Sequence, residues 1–96
     1  MINSKQRSKL RSMAHHLKPI ILIGKSGISD GAIESIVSAL NKHELIKVKF
    51  IENKELKDQL VTIVEDKLFA FVVGSVGHTL IIFKYQEDKN KRKISI

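Results

Sequence analysis

The run "PIILIGKSGIS", residues 19–29, constrains the fold more than any other stretch of the chain. Behind Pro19, four apolar and mostly β-branched residues read as a short buried strand. Gly24 and Gly27 end it, and Ser29 or Asp30 is placed to cap a following helix. A strand, a tight turn and a helix in that order commit the chain to a β–α unit. A second strand after the helix would then lie parallel to the first through a crossover of fixed hand.

The rest of the sequence supplies that second strand and more. Before Pro19, Leu10, Met13, Ala14 and Leu17 fall at i, i+3, i+4 and i+7 and predict a helix over about residues 4–16, with Ser4 as its cap. Ile33, Ile36, Val37 and Leu40 give the helix after the turn its apolar face. "LIKVKFI" then alternates, so Ile46, Val48 and Phe50 are expected in the core with Lys47 and Lys49 pointing outward. Leu56, Leu60, Ile63, Val64 and Leu68 mark a third helix, with Asn53 as a candidate cap. "AFVVGSV" and "TLIIFKY" flank a short turn containing Gly77 and read as a hairpin. The order is α-β-α-β-α-β-β, an α/β arrangement with a mixed sheet covered by helices. Ninety-six residues suit one domain. The segment beyond Tyr85, about residues 86–96, is expected as a basic, exposed, flexible tail, with Ile94 and Ile96 either frayed or folded back.

Charge narrows the partners. Seventeen Lys and Arg against ten Asp and Glu give a net charge of +7. Residues 1–28 contain six of those bases and no acid, while Lys84, Lys89, Lys91, Arg92 and Lys93 face only Glu87 and Asp88 at the other end. Such a balance favours polyanions, although a solubilising excess of lysine would look the same. With no cysteine the chain has neither disulfides nor thiolate ligands, and no apolar run approaches membrane-spanning length, so a cytoplasmic location without membrane contact is expected. The four histidines form no spaced ligand motif, and no nucleophile has an obvious base, so neither a metal, another cofactor nor an enzymatic activity is expected.

The GKS within the first turn suggests a nucleotide-binding P-loop, but that loop needs a glycine five positions before Gly24, where Pro19 stands. No small-molecule substrate is expected. What remains is G-x-x-G, here Gly24, Lys25, Ser26 and Gly27, followed by a helix start. The GxxG loop of KH domains clamps nucleic-acid backbone in this way. From the motif alone, glycines that merely permit a tight β-to-α connection fit equally well.

Three stretches together, "KQRSKLRSMAHHLKPIILIGKSGIS", "HELIKVKF" and "GHTLIIFK", resemble the CRM domain (chloroplast RNA splicing and ribosome maturation), most closely its stand-alone bacterial YhbY-type form. The resemblance runs from about Lys5 to Lys84. It implies a two-layer α/β sandwich with a four-stranded mixed sheet, similar to the C-terminal domain of a bacterial translation initiation factor. It also implies RNA as partner, with ribosomal RNA in large-subunit precursors the expected target, and the GxxG loop as the contact. The expected RNA-binding set is therefore Gly24, Lys25, Ser26 and Gly27, the helix-1 flank Arg7, Arg11 and Lys18, and Lys47 and Lys49, carried by a monomer. A protein-interaction module of the ribosome assembly machinery, without RNA contact, is the alternative.

Overall fold

The structure, a computed structural model, describes residues 2–52 and 55–96. The first helix, α1 (Ser4–Ala14), starts at Ser4, the expected cap, so its cap lies one residue earlier, and it ends two residues short of the expected 16. Asn3 is its cap: its side chain accepts from the Gln6 amide at 2.8 Å while Gln6 Oε1 accepts from the Asn3 amide at 2.9 Å. Ser4 cannot form that reciprocal pair, because three residues beyond it stands Arg7, which offers only donors.

Strand β1 (Ile21–Ile23) leads through the glycine turn into α2 (Asp30–His43), whose cap Ser29 accepts from the Ala32 amide at 3.1 Å. Glu44 ends α2 in a positive-φ conformation, +65°, and turns the chain directly into β2 (Leu45–Phe50). Helix α3 (Leu56–Asp66) and the hairpin β3 (Phe71–Val76) and β4 (Thr79–Phe83) complete the fold. Asn53, the expected cap of α3, lies outside the described residues.

The sheet order is β1-β2-β4-β3. Strands β1 and β2 pair in parallel, and the other two pairs are antiparallel. This is the mixed α+β fold with a four-stranded mixed sheet that the sequence implied, but helices lie on both faces of the sheet, so it is not the two-layer sandwich expected from the resemblance. Helices α2 and α3 cover one face, where Ile36, Leu40, Leu60 and Val64 pack on Ile46, Val48, Phe50, Leu80 and Ile82. The alternate residues Leu45, Ile81, Phe83 and Val73 point to the other face, where Leu10 and Ala14 of α1 meet them. Strand β4 is therefore buried on both sides along Leu80–Phe83, which explains why "LIIF" is a continuous apolar run and not an alternating one.

Of the two arrangements expected for Ile94 and Ile96, the chain adopts the folded-back one: both pack against the α1-side core together with Tyr85. A single short 3₁₀ turn, Lys89–Lys91, lies on the way.

Leu10 anchors α1 and is fully buried. Leu10→Ala is expected to remove about 2–5 kcal/mol of stability in urea unfolding. A loss under about 1 kcal/mol would contradict the docking of α1 on the sheet.

Candidate nucleic-acid interface

The turn after β1 is closed by one hydrogen bond, from the Gly27 amide to the Gly24 carbonyl at 3.0 Å, which leaves Lys25 and Ser26 exposed at the corner. The two glycines serve different ends. Gly27 sits at φ +69°, a conformation that L side chains rarely adopt, so the turn itself requires it. Gly24 has no positive φ, and a Cβ built on it would meet nothing within 4 Å. The fold places no demand on it, and its bare backbone faces open space.

Parallel pairing puts this turn beside the end of β2, where the Ile51 amide donates to the Ile23 carbonyl at 2.9 Å. The Phe50 amide donates to the His78 carbonyl at 2.8 Å, which brings the β3–β4 turn to the same place. Lys57, in the first turn of α3, donates from Nζ to the Gly77 carbonyl at 2.7 Å. The glycine loop, the hairpin turn and the start of α3 thus form one pole of the molecule. Lys49 stands at its margin on the α1 side of the sheet, exposed, between Leu22 and Thr79 in register. Asp30 occupies the first turn of α2 and complements its dipole, so an anion at this pole would be met by Lys25 and the turn amides ahead of the helix end.

The other expected residues are distributed more widely. Arg7 and Arg11 reach across to β3, the edge strand opposite β1, where their Nη1 atoms donate to the Val72 and Val73 carbonyls. Those carbonyls flank the irregular register between Val72 and Gly74, and the two guanidiniums brace α1 against it. Each guanidinium keeps further donors for a partner. Lys47 Nζ donates to the Leu17 carbonyl at 2.9 Å and pins the α1–β1 connection. Arg11 and Lys47, with His15 and Thr79, line a groove of about 390 Å³ under the end of α1. Lys18 lines a different, largely apolar groove with Met13, Leu17, Ile20, His43 and Ile94. The structure therefore gathers the loop and Lys49 at one pole, places Arg7 beside Arg11 on β3 and Arg11 with Lys47 in one groove, and leaves Lys18 apart from these.

Sequence reasoning missed Lys57, because only the folded hairpin brings the Gly77 carbonyl within its reach. Among the described residues, no three His, Asp or Glu side chains are arranged to hold a metal ion, and no helix is long and apolar enough to cross a membrane.

The sequence matches the CRS1/YhbY (CRM) domain over residues 2–84. The chain belongs to this family. An "RNA-binding protein" of Haemophilus influenzae is 34% identical over 88 residues, covering 91% of this chain and 89% of that protein. The "Probable RNA-binding protein YqeI" of Bacillus subtilis is 36% identical over 97 residues, covering 100% of this chain and 99% of its own. The solution structure of the hypothetical protein SAV1595 from Staphylococcus aureus superposes with a TM-score of 0.78 at 30% identity, covering 99% of this chain and 100% of that one. The relatives of this CRM domain are named for RNA binding and not for an enzymatic activity.

The two glycines should respond differently to substitution. Gly27→Ala is expected to lower stability by about 1–2 kcal/mol, the strain of a left-handed alanine. Gly24→Ala should leave it within about 0.5 kcal/mol. Urea unfolding of both variants checks this, and equal losses would contradict the geometry of the turn.

Proposed function

We propose that this CRM-domain protein binds RNA through its sugar-phosphate backbone, with the GKSG turn as the principal contact. The observation that carries the reading is Gly24: a bare backbone position that neither φ nor packing requires, beside the exposed Lys25 and Ser26, in a chain whose relatives are named RNA-binding proteins. Lys49 extends the cationic surface along the sheet, and the Arg11–Lys47 groove continues it towards α1. Phe50 and Phe83 are buried, Phe71 and Tyr85 are half-buried against the α1-side core, and the exposed Phe69 lies off the sheet between α3 and β3, so the sheet itself offers no aromatic platform for stacked bases. Recognition then rests on backbone and RNA shape. The target proposed is ribosomal RNA in large-subunit precursors during assembly, bound by a monomer in the cytoplasm.

One feature favours a second reading, a protein-interaction module: Met13, Leu17 and Ile20 are all at least a third exposed around the groove beside Lys18. Salt separates the two, because each neutralised phosphate releases counterions and makes RNA affinity fall steeply with ionic strength.

The test is fluorescence anisotropy of a structured fragment of large-subunit ribosomal RNA at several salt concentrations. The parent should bind with strong salt dependence, and Lys25→Asp/Ser26→Asp should bind about tenfold or more weakly, with a salt slope smaller by about one. Gly24→Ala should weaken binding while leaving the fold intact. Unchanged affinity in both variants would overturn the loop assignment, and no RNA affinity in the parent would bring the protein-interaction reading forward.

A further inference from the structure

The opposite pole of the sheet is organised around one buried carboxylate. Glu44 is 1% exposed, and among the described residues its carboxylate is held by backbone amides. Its Oε1 accepts from the backbone amides of Lys93 at 2.6 Å and Ile94 at 3.1 Å, and its Oε2 accepts from the amide of Gln86 at 3.1 Å. Both ends of the C-terminal segment are thereby tied to the point where α2 turns into β2. The positive φ of Glu44 makes that sharp turn, and its own carbonyl accepts from the Lys84 amide at 2.9 Å.

The segment is braced internally as well. Gln86 Nε2 donates to the Asn41 carbonyl at 2.7 Å, and Arg92 Nε donates to the Gln86 carbonyl at 2.8 Å. The Arg92 guanidinium lies 4.9 Å from the centre of the Tyr85 ring. Asp88 accepts from the Asn90 amide at 2.9 Å and caps the 3₁₀ turn. Ile94 and Ile96 seal the strap onto the α1-side core. A stretch that reads as a loose polycation is held as a defined loop, with Lys89, Lys91 and Lys93 exposed on it.

We propose that residues 86–96 form a second RNA-backbone contact, a strap that Glu44 fixes so that Lys89, Lys91 and Lys93 meet phosphates at the pole opposite the GKSG turn. This rests on the RNA reading above. Lys42 and His43, at the end of α2, border the same pole, and Lys84 joins them after β4. Of the acids nearby, Glu44 is enclosed by amides, while Glu87 and the capping Asp88 are exposed and offset part of the charge of Lys89, Lys91, Arg92 and Lys93. The two poles are separated by the length of β2, six residues, or ~20 Å at the rise of a strand. A folded RNA can bridge that span, and a single phosphate group cannot. Charges held in place lose less conformational freedom on binding than the same charges on a disordered tail. Glu44 is a positioning residue in this scheme, since its buried carboxylate is bonded to strap amides. The strap lies beyond the residues that match the family domain, which end at 84.

A double-mutant cycle tests the proposal, using full-length protein and a fluorescein-labelled fragment of large-subunit ribosomal RNA. Lys89→Gln/Lys91→Gln/Lys93→Gln should bind about tenfold more weakly, with a salt slope smaller by about two to three. Glu44→Gln raises the net charge by one from +7, which by diffuse attraction alone would tighten binding. Its amide, however, offers one acceptor where the carboxylate offers two. The strap should loosen, with faster hydrogen exchange at the Lys93 and Ile94 amides, unchanged exchange in the sheet, and about threefold weaker RNA binding. In the triple-lysine background Glu44→Gln should have no further effect, a non-additivity that general destabilisation would not produce. Parental affinity and salt slope in the triple variant would overturn the strap contact, as would equal weakening by Glu44→Gln in both backgrounds. If Lys25→Asp/Ser26→Asp still weakens binding while the strap variants match the parent, only the strap contact falls. A parent without RNA affinity overturns both.

Discussion

The parallel pairing of β1 with β2 is the constraint from which the rest of the structure follows. Two parallel strands need a crossover, and α2 provides it with its N-terminus at the end of β1 and its C-terminus at the start of β2. The glycine turn is consequently forced to one end of the sheet and the α2–β2 corner to the other. Each end then accumulates what lies near it in space. The hairpin turn and α3 join the first, and the C-terminal segment joins the second.

The short length of β1 matters in this arrangement. Its three residues pair with β2 along one edge only, so the strand is held mainly by burial of Ile23 and by the backbone bonds at either end. Ile20 donates to the Lys47 carbonyl at 3.2 Å, and Lys47 returns an ammonium to the Leu17 carbonyl. That reciprocal tie lets a strand of minimal length enter the sheet in a fixed register. Lys47 thus has a structural duty beside any contact with a partner, as do Arg7 and Arg11 at the other edge. Hydrogen bonds of charged donors to backbone carbonyls contribute about 1.5–3 kcal/mol where they are shielded from water, so substituting these residues would perturb fold and binding together. Lys25 and Lys49, exposed and without such ties among the described residues, are the positions at which the proposed RNA contact can be tested apart from the fold.

Much of this was legible in the sequence. Leu10 and Ala14 marked the buried face of α1, although Met13 of the same expected stripe is exposed and Leu17 lies beyond the helix end; the alternation of "IKVKF" marked β2, and the glycine turn with Ser29 marked the start of α2. Side-chain roles that depend on distant carbonyls were not legible. Nothing local says that Arg7 and Arg11 will meet the irregular pairing of β3, or that Lys57 will reach the hairpin turn. Glu44 is the clearest case: its partners lie 42 to 50 residues away, and an acidic residue between a helix and a strand reads as solvated until the tail is seen to enclose it. The apolar run "LIIF" did carry a signal of burial on both faces, because only a strand covered on both sides keeps four consecutive apolar residues in the interior.

The most direct test of the central claim, that RNA meets the molecule at the glycine-turn pole, is a ¹H–¹⁵N NMR titration of the labelled protein with the ribosomal RNA fragment. The account predicts that the largest shifts and line broadening fall on the amides of Gly24, Lys25, Ser26 and Gly27, extending to Lys49 and His78, with a second set at the strap amides around Lys89, Lys91 and Lys93 and the outward faces of α2 and α3 undisturbed. Perturbations confined to those two helices, or to the apolar groove around Met13 and Leu17 with the glycine turn silent, would contradict it.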